Sequence, residues 1–404
     1  MRIGYPEDVL RGMRPGQRVY FQGGPGECET FYNLLRDNPG LANGIELWSC
    51  LIPGINQLDY GSLPGDVKLR TFMASTTLEP SIATGRTLVI PMPYSEIGAL
   101  MAATEFDLVV LHTAPPNSAG NCSFGLCCDM GPLVWANARR KVAFVNKQMP
   151  ALEHAESLPA DALDLIVEID APLLAAKPSA PRNNPAVAEI SRLVAELVPD
   201  GATIQSGIGE TPAAAMAALR LHRGLRVHSG IITPEYRQLC DAGVIDPGAE
   251  NVTGVAWGDA EFYKWLSQSG FVFRSAQVTH DHGLLGAIDR FVSIGSALEV
   301  DLEGGLNLEW RAGRRVSSVG GAPDYMRGAA ASRGGISIIA LQSIGGGASR
   351  IVPKLASPSI PAELADVIVT EHGVARLKGL SQRARAEAII AIAAPEHRDH
   401  LSRR

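Results

Sequence analysis

The stretch Ala202 to Gly243, ATIQSGIGETPAAAMAALRLHRGLRVHSGIITPEYRQLCDAG, decides the fold. Ala202 to Gln205 reads as a short buried strand that Gly207 and Gly209 break. Thr211 is placed to cap a helix, and Pro212 suits its first turn, where a missing N–H costs nothing. Ala213 to Leu221 favours helix, and Gly224 ends it. Leu225 to His228 is a second strand, closed by Ser229-Gly230, and Thr233-Pro234 opens a helix that stops at Gly243. Ligands of open parallel sheets sit at the carboxyl ends of such strands. Gly207-Ile208-Gly209 and His228-Ser229-Gly230 are therefore expected on one rim. GIGETP is not a dinucleotide fingerprint, because Pro212 stands where the third glycine belongs. Turn geometry alone also explains glycines of this kind.

Working outward, the same alternation recurs in both directions. Before this stretch, Arg18 to Gln22, Gly44 to Cys50, Leu88 to Pro91, Asp107 to His112, Lys141 to Asn146 and Asp164 to Ile169 read as strands spaced for helices. The turn GGPGECE after the first strand is an anion-type turn opposed by its own Glu27 and Glu29. After it, strands are expected near Asn251 to Ala256, Phe271 to Ser275, Phe291 to Ile294, Ala297 to Leu302, Leu306 to Trp310, Gly335 to Leu341 and Asp366 to Thr370. Ser318 to Asp324 and Ile344 to Gly347 are further glycine-rich turns, and Ser381 caps a closing helix. The proline-rich run Pro178 to Pro185 is the best boundary. The expectation is an α/β protein of two tandem open, doubly wound domains, 1–180 and 186–404.

Composition narrows the function. The 404 residues, 46% hydrophobic and 19% charged, are enough for two cores. A net charge of -6 argues against a nucleic-acid surface. No apolar run reaches the roughly 18 residues of a membrane span, and MRIGYPEDVLRGM lacks signal-peptide features; a cytoplasmic protein is expected. The six cysteines do not form a disulfide framework, and Cys122, Cys127 and Cys128 lack the C-x-x-C pairs of a zinc site. They read as packed thiols, with no metal.

Several longer runs carry a family resemblance. HTAPPNSAGNCSFGLCCD (His112 to Asp129), VNKQMP (Val145 to Pro150), GIGETP, IGSALEVDLEGGLNLE (Ile294 to Glu309), SVGGAPDYMRGA (Ser318 to Ala329), SRIVP (Ser349 to Pro353) and DVIVTEHGVARLKG (Asp366 to Gly379) occur in that order. Together they resemble the acetyl-CoA hydrolase/transferase family, which includes 4-hydroxybutyrate CoA-transferase and belongs with the class I CoA-transferases. The resemblance covers almost the whole length. It implies an acyl-CoA site in the cleft between the two domains, coenzyme A or acyl-CoA as substrate rather than a permanent cofactor, a carboxylate as a possible second substrate, and a homo-oligomer. Pairing with an active relative is the alternative assembly.

The family chemistry uses a glutamate that attacks the thioester and becomes a glutamyl-CoA thioester. In the family it follows a histidine in a run like H-S-E-M. This chain has His228-Ser229-Gly230-Ile231, so Gly230 stands where the nucleophile belongs. Gly295 replaces the usual Asn of I-N-S-A, and Ala322 the usual Gln after paired glycines. Gly207, Gly209, Gly320, Gly321 and Asp324 match. The substrate-binding set is thus Gly207, Gly209, Ser229, Gly230, Gly295, Gly320, Gly321 and Ala322. Glu210 is a substitute carboxylate, with a dipole-favoured first-turn acid as its plain alternative. Arg314, Arg315, Arg327, Arg350 and Lys354 are candidates for CoA phosphates or solvated surface charges. Three functions compete: thioester hydrolysis or intramolecular acyl transfer without the glutamyl intermediate, acyl-CoA binding without catalysis, and ordinary CoA transfer through a carboxylate such as Glu210.

Overall fold

The computed structural model describes residues 2–177 and 184–403. The proline-rich boundary at 178–185 lies largely outside them. Close contacts divide the chain into two compact units, Met1–Lys177 with Val252–Thr279 and Pro178–Asn251 with His280–Arg404.

The first unit is built on a seven-stranded parallel sheet. Its strands are β1 (Arg18–Phe21), β2 (Glu46–Trp48), β3 (Lys68–Thr71), β4 (Thr87–Val89), β5 (Leu108–Thr113), β6 (Lys141–Asn146) and β7 (Leu165–Ile169). Their order is β4-β3-β2-β1-β5-β6-β7. All of β5 is buried, in keeping with the unbroken apolar run LVVL that opens it, before the buried polar pair His112 and Thr113. Phe21, Phe31, Tyr60 and Phe144 fill one face of the core. The segment Val252–Thr279 joins this unit although it follows the proline-rich run by some seventy residues of chain. Backbone hydrogen bonds hold it there. Cys128 N–H donates to the Gly254 carbonyl, Ala256 N–H to Leu126, and Glu156 N–H to Phe273. A single cut at the prolines therefore does not describe how the chain is packed.

In the second unit the sheet strands are β8 (Thr203–Ser206), β9 (Arg226–Ile232), β10 (Phe291–Gly295), β11 (Ile336–Ala340), β12 (Val367–Thr370) and β13 (Gly373–Arg376). They run in the order β9-β8-β10-β11-β12-β13. Pairing is parallel except at the edge, where β13 turns back on β12. The helix Pro185–Leu197 is capped by Asn184, whose side chain accepts from Ala186 and Val187 N–H, and it buries Val187, Ile190 and Val194. The helix after β8 begins at Glu210, one residue past Gly209, and Thr211 is buried inside its first turn rather than capping it. Gly209 adopts φ +126°, a conformation that side chains rarely adopt. Its cap role thus belongs to a glycine, with no side-chain hydrogen bond.

Among the described residues no helix is long and apolar enough to cross a membrane. The six cysteines are free thiols, five of them buried. No group of three or more His, Cys, Asp and Glu side chains is placed to hold a metal ion among the described residues.

Candidate functional site

The strand order reverses between β8 and β10, and this is where an open parallel sheet leaves a crevice at its carboxyl end. Two of the expected site residues meet there. Gly207 follows β8, its N–H donating to the Ile294 carbonyl at 2.9 Å, and Gly295 ends β10. A methyl group on Gly207 would meet nothing closer than 3.8 Å, so this corner is open. A methyl group on Gly295 would meet only the tip of Ile339, at 3.3 Å.

Gly230 lies near the end of the neighbouring strand β9 and is half-buried. Its surroundings are the opposite of open. A β-carbon there would fall 2.5 Å from His280 Cε1, 2.5 Å from the Tyr325 hydroxyl and 2.8 Å from His280 Nε2. Gly321 faces the same imidazole, where a β-carbon would lie 2.6 Å from Cδ2 and from Nε2. The His280 ring therefore packs against two glycines whose missing side chains make room for it. Any side chain at 230 therefore requires the His280 ring or the Tyr325 hydroxyl to shift.

The chain positions both partners by ordinary local rules. His280 sits between two short helices, Ala276–Thr279 and His282–Ala287. Asp281 caps the second, accepting from Leu284 N–H at 2.8 Å, which fixes the backbone next to His280. Tyr325 lies one turn into the helix Ala322–Ala331, and its N–H donates to the Gly321 carbonyl. Its ring packs with Leu285, Phe291 and Ala329 in a small apolar cluster. Gly320, at φ +55°, makes the turn that leads into this helix. The tyrosine hydroxyl and His280 Nε2 are 3.0 Å apart, and both residues are about 95% buried. Burial, and secondarily the nearby His228, push the His280 pKa down to about 3, so its imidazole is neutral at neutral pH.

The remaining expected residues distribute themselves plainly. Ser229 is buried and donates to the Ile231 carbonyl at 2.7 Å. Ala322 opens the helix that carries Tyr325, and Asp324 is fully buried in its first turn. Gly209 and Glu210 are exposed at the start of their helix. Glu371 is a structural acid that accepts from Ser343 N–H at 2.9 Å and Ser343 Oγ at 2.6 Å. Glu309 is buried beside Arg315, at 3.5 Å. Arg315 also stacks on Trp310, and Arg314 shares the same hairpin. Arg327 and Lys354 are exposed, while the half-buried Arg350 lies over Gly345.

In the first unit the strand order reverses between β1 and β5. There Gln22 accepts from His112 N–H at 2.8 Å, and Asn56 braces the glycine turn with hydrogen bonds to and from Gly24. Glu27 in that turn is buried, which raises its pKa to about 7. Part of its charge is thereby removed near neutral pH, and its opposition to an anion weakens accordingly.

Comparison with known proteins follows the same outline. The acetyl-CoA hydrolase/transferase C-terminal domain matches residues 258–404. The 4-hydroxybutyrate coenzyme A transferase of Clostridium kluyveri is 31% identical over 410 residues, covering 98% of this chain and 95% of that one. Among solved structures, RipA from Yersinia pestis superposes with a TM-score of 0.90 at 27% identity, over 99% of this chain and 96% of that one. A 4-hydroxybutyrate CoA-transferase from Porphyromonas gingivalis gives 0.82 at 29% identity, over 100% and 96%.

Proposed function

The chain belongs to the acetyl-CoA hydrolase/transferase family, and from that premise we propose that it binds a small acyl-CoA and acts on the thioester without a glutamyl-CoA intermediate. The observation that carries this reading is the filled space beside Gly230, where His280 and Tyr325 stand within 2.5 Å of any β-carbon. With no carboxylate there, attack falls to water or to a hydroxyl on the acyl chain itself. Water yields the free acid and CoA thiol; an internal hydroxyl yields a lactone and CoA thiol. Backbone N–H groups of the glycine turns beyond Gly207, whose own N–H is taken by the Ile294 carbonyl, would donate to the oxyanion formed in either attack. The open corner at Gly207 and Gly295 is where the thioester would lie, because a side chain at Gly207 meets nothing closer than 3.8 Å.

Three measurements test this together. Calorimetry with CoA and short acyl-CoAs reports binding, and release of CoA thiol reports turnover. Intact mass after incubation with acetyl-CoA should then reveal no CoA-sized adduct. A covalent adduct on Glu210, the exposed acid at the start of its helix, would restore the ordinary transferase reading instead. Binding without any thiol release would support an acyl-CoA-binding subunit that does no chemistry.

A further inference from the structure

We propose that the hairpin Glu309 to Arg315, EWRAGRR, is a binding site for a phosphorylated purine nucleotide. Two sources share that chemistry, the nucleotide end of an acyl-CoA and a free nucleotide, and only the first rests on the reading that acyl-CoA is bound. Trp310–Arg311 pairs antiparallel with Arg314–Arg315, so Trp310 lies opposite Arg315 and Arg311 opposite Arg314. The two residues between them, Ala312 at φ +49° and Gly313 at φ +75°, make a tight turn that leaves the ribbon little freedom. Three arginines against Glu309 give these seven residues a net charge of +2 (three minus one), in a chain whose net charge is -6. Cations facing each other across a hairpin repel, and an anion laid against them lowers that cost. Arg314 has a further interaction of its own, so Arg311 and Arg315 supply the charge that a phosphate would meet.

The aromatic half of the site is Trp310, which is 39% exposed although tryptophan is costly to leave in water. The Arg315 guanidinium stacks on its ring at 5.0 Å from the centroid, which steadies the ring plane. The backbone beneath is braced, since Asn307 Oδ1 accepts from Glu309 N–H at 3.1 Å and from Trp310 N–H at 2.9 Å. Asn307 Nδ2 donates to the Trp310 carbonyl at 2.8 Å and to Glu299, which occupies that neighbouring acid. Glu309 is buried and lies 3.5 Å from the Arg315 guanidinium, yet its Oε1 has no hydrogen-bond partner among the described residues, and neither has Arg315 Nε. Arg315 therefore leans on Glu309 by charge without a hydrogen bond, and its side chain, 30% exposed, keeps donors for another acceptor. A planar ring beside exposed guanidiniums matches a ligand that joins a flat base to phosphate. A simple anion would use only the arginines, and an uncharged ring only the tryptophan.

Calorimetry on the full chain tests this, with adenosine 3′,5′-bisphosphate, ADP, CoA and the nucleotide-free fragment pantetheine as probes. The bisphosphate or ADP should bind, more weakly as salt is added. Trp310→Ala should weaken that binding by roughly 5–150-fold through loss of base stacking. Arg311→Ala should weaken it by roughly tenfold or more, and it carries the test should Trp310→Ala fail to fold, because Arg311 is exposed. If CoA affinity falls by the same factor while pantetheine affinity is unchanged, the nucleotide end of CoA is the source. If only the bisphosphate and ADP are affected, a free nucleotide is the source. No binding of either nucleotide at millimolar concentration overturns the proposal, as does binding that neither folded variant weakens. CoA binding that survives such a result leaves the acyl-CoA reading standing. Nucleotide binding lost in the variants of a protein that binds no CoA supports the site and sinks that reading instead.

Discussion

Gly230→Ala puts a single carbon where the structure has no room for one. The backbone there is not in the left-handed region, so the substitution carries no conformational strain and its cost is steric. The new atom would lie 2.5 Å from two ring groups of buried residues, and the neighbours are aromatic rings rather than flexible chain ends. Overpacking of this kind costs about 1–3 kcal/mol, partly offset by the roughly 0.4–1 kcal/mol that Gly→Ala gains from a less mobile unfolded chain. A net loss of about 1–2 kcal/mol is expected, or a Tm lowered by about 2–8 °C for a unit of this size. Gly207→Ala is the internal control. Its nearest neighbour is 3.8 Å away, so it keeps the unfolded-state gain and should leave Tm unchanged or slightly raised. Adding His280→Ala to Gly230→Ala should recover part of the loss, because the two sites share one contact. Differential scanning calorimetry of the four proteins is the assay. If Gly230→Ala is as benign as Gly207→Ala, the imidazole is not where it has been placed, and the case against a side chain at 230 collapses.

The other expectations concern charge and caps. Asp129 is buried, accepts from the Tyr94 hydroxyl at 2.7 Å, and is raised by burial to a pKa of about 7. Its contribution is full below the ordinary carboxylate range and is lost as pH rises through 7. Asp129→Asn, which also suits the φ of +35° at this position, should therefore raise Tm at pH 8 and leave it nearly unchanged at pH 4. His112 and His280 are depressed by burial to about 4 and about 3. Their contribution is present above the ordinary histidine pKa and is lost as pH falls through those values. Between about pH 6 and 4.5 that loss is offset by the gain from the raised carboxyls Asp129 and Glu27. Melts of the natural protein should therefore stay nearly flat there and decline below it, whereas in Asp129→Asn, with one opposing carboxyl gone, the decline should begin near about pH 6. Asp281→Ala removes the cap on the helix His282–Ala287 and should cost about 1 kcal/mol of stability, read as a lower Tm.

Much of the fold was legible because buried parallel strands are chemically monotonous and end at glycine. Lys141–Asn146 has the bounds expected of it, and Phe291–Gly295 differs by one residue. Strands that owe their place to partners were not legible. Lys68–Thr71 carries two cations in four residues, and it is the Arg70–Glu46 pair at 2.8 Å and the stacking of Arg70 on Trp48 that fit it between its neighbours. Gly373–Arg376 is short and has only an antiparallel partner to define it. The return of Val252–Thr279 to the first unit rests on backbone hydrogen bonds from Cys128, Ala256 and Glu156, which leave no mark on residue type.

What the sequence does not announce at the candidate site is what surrounds each glycine. Reading Gly230, Gly295 and Ala322 as three losses in one place treats them alike, and their surroundings differ. At Gly230 and Gly321 the missing side chains are answered by His280, a residue 50 positions beyond one and 41 before the other, with no local motif to announce it. At Gly207 and Gly295 nothing answers, and the space is free apart from the tip of Ile339. The rim is thus filled at Gly230 and Gly321 and open at Gly207 and Gly295, and under the proposed reading it is the open half that would take the thioester.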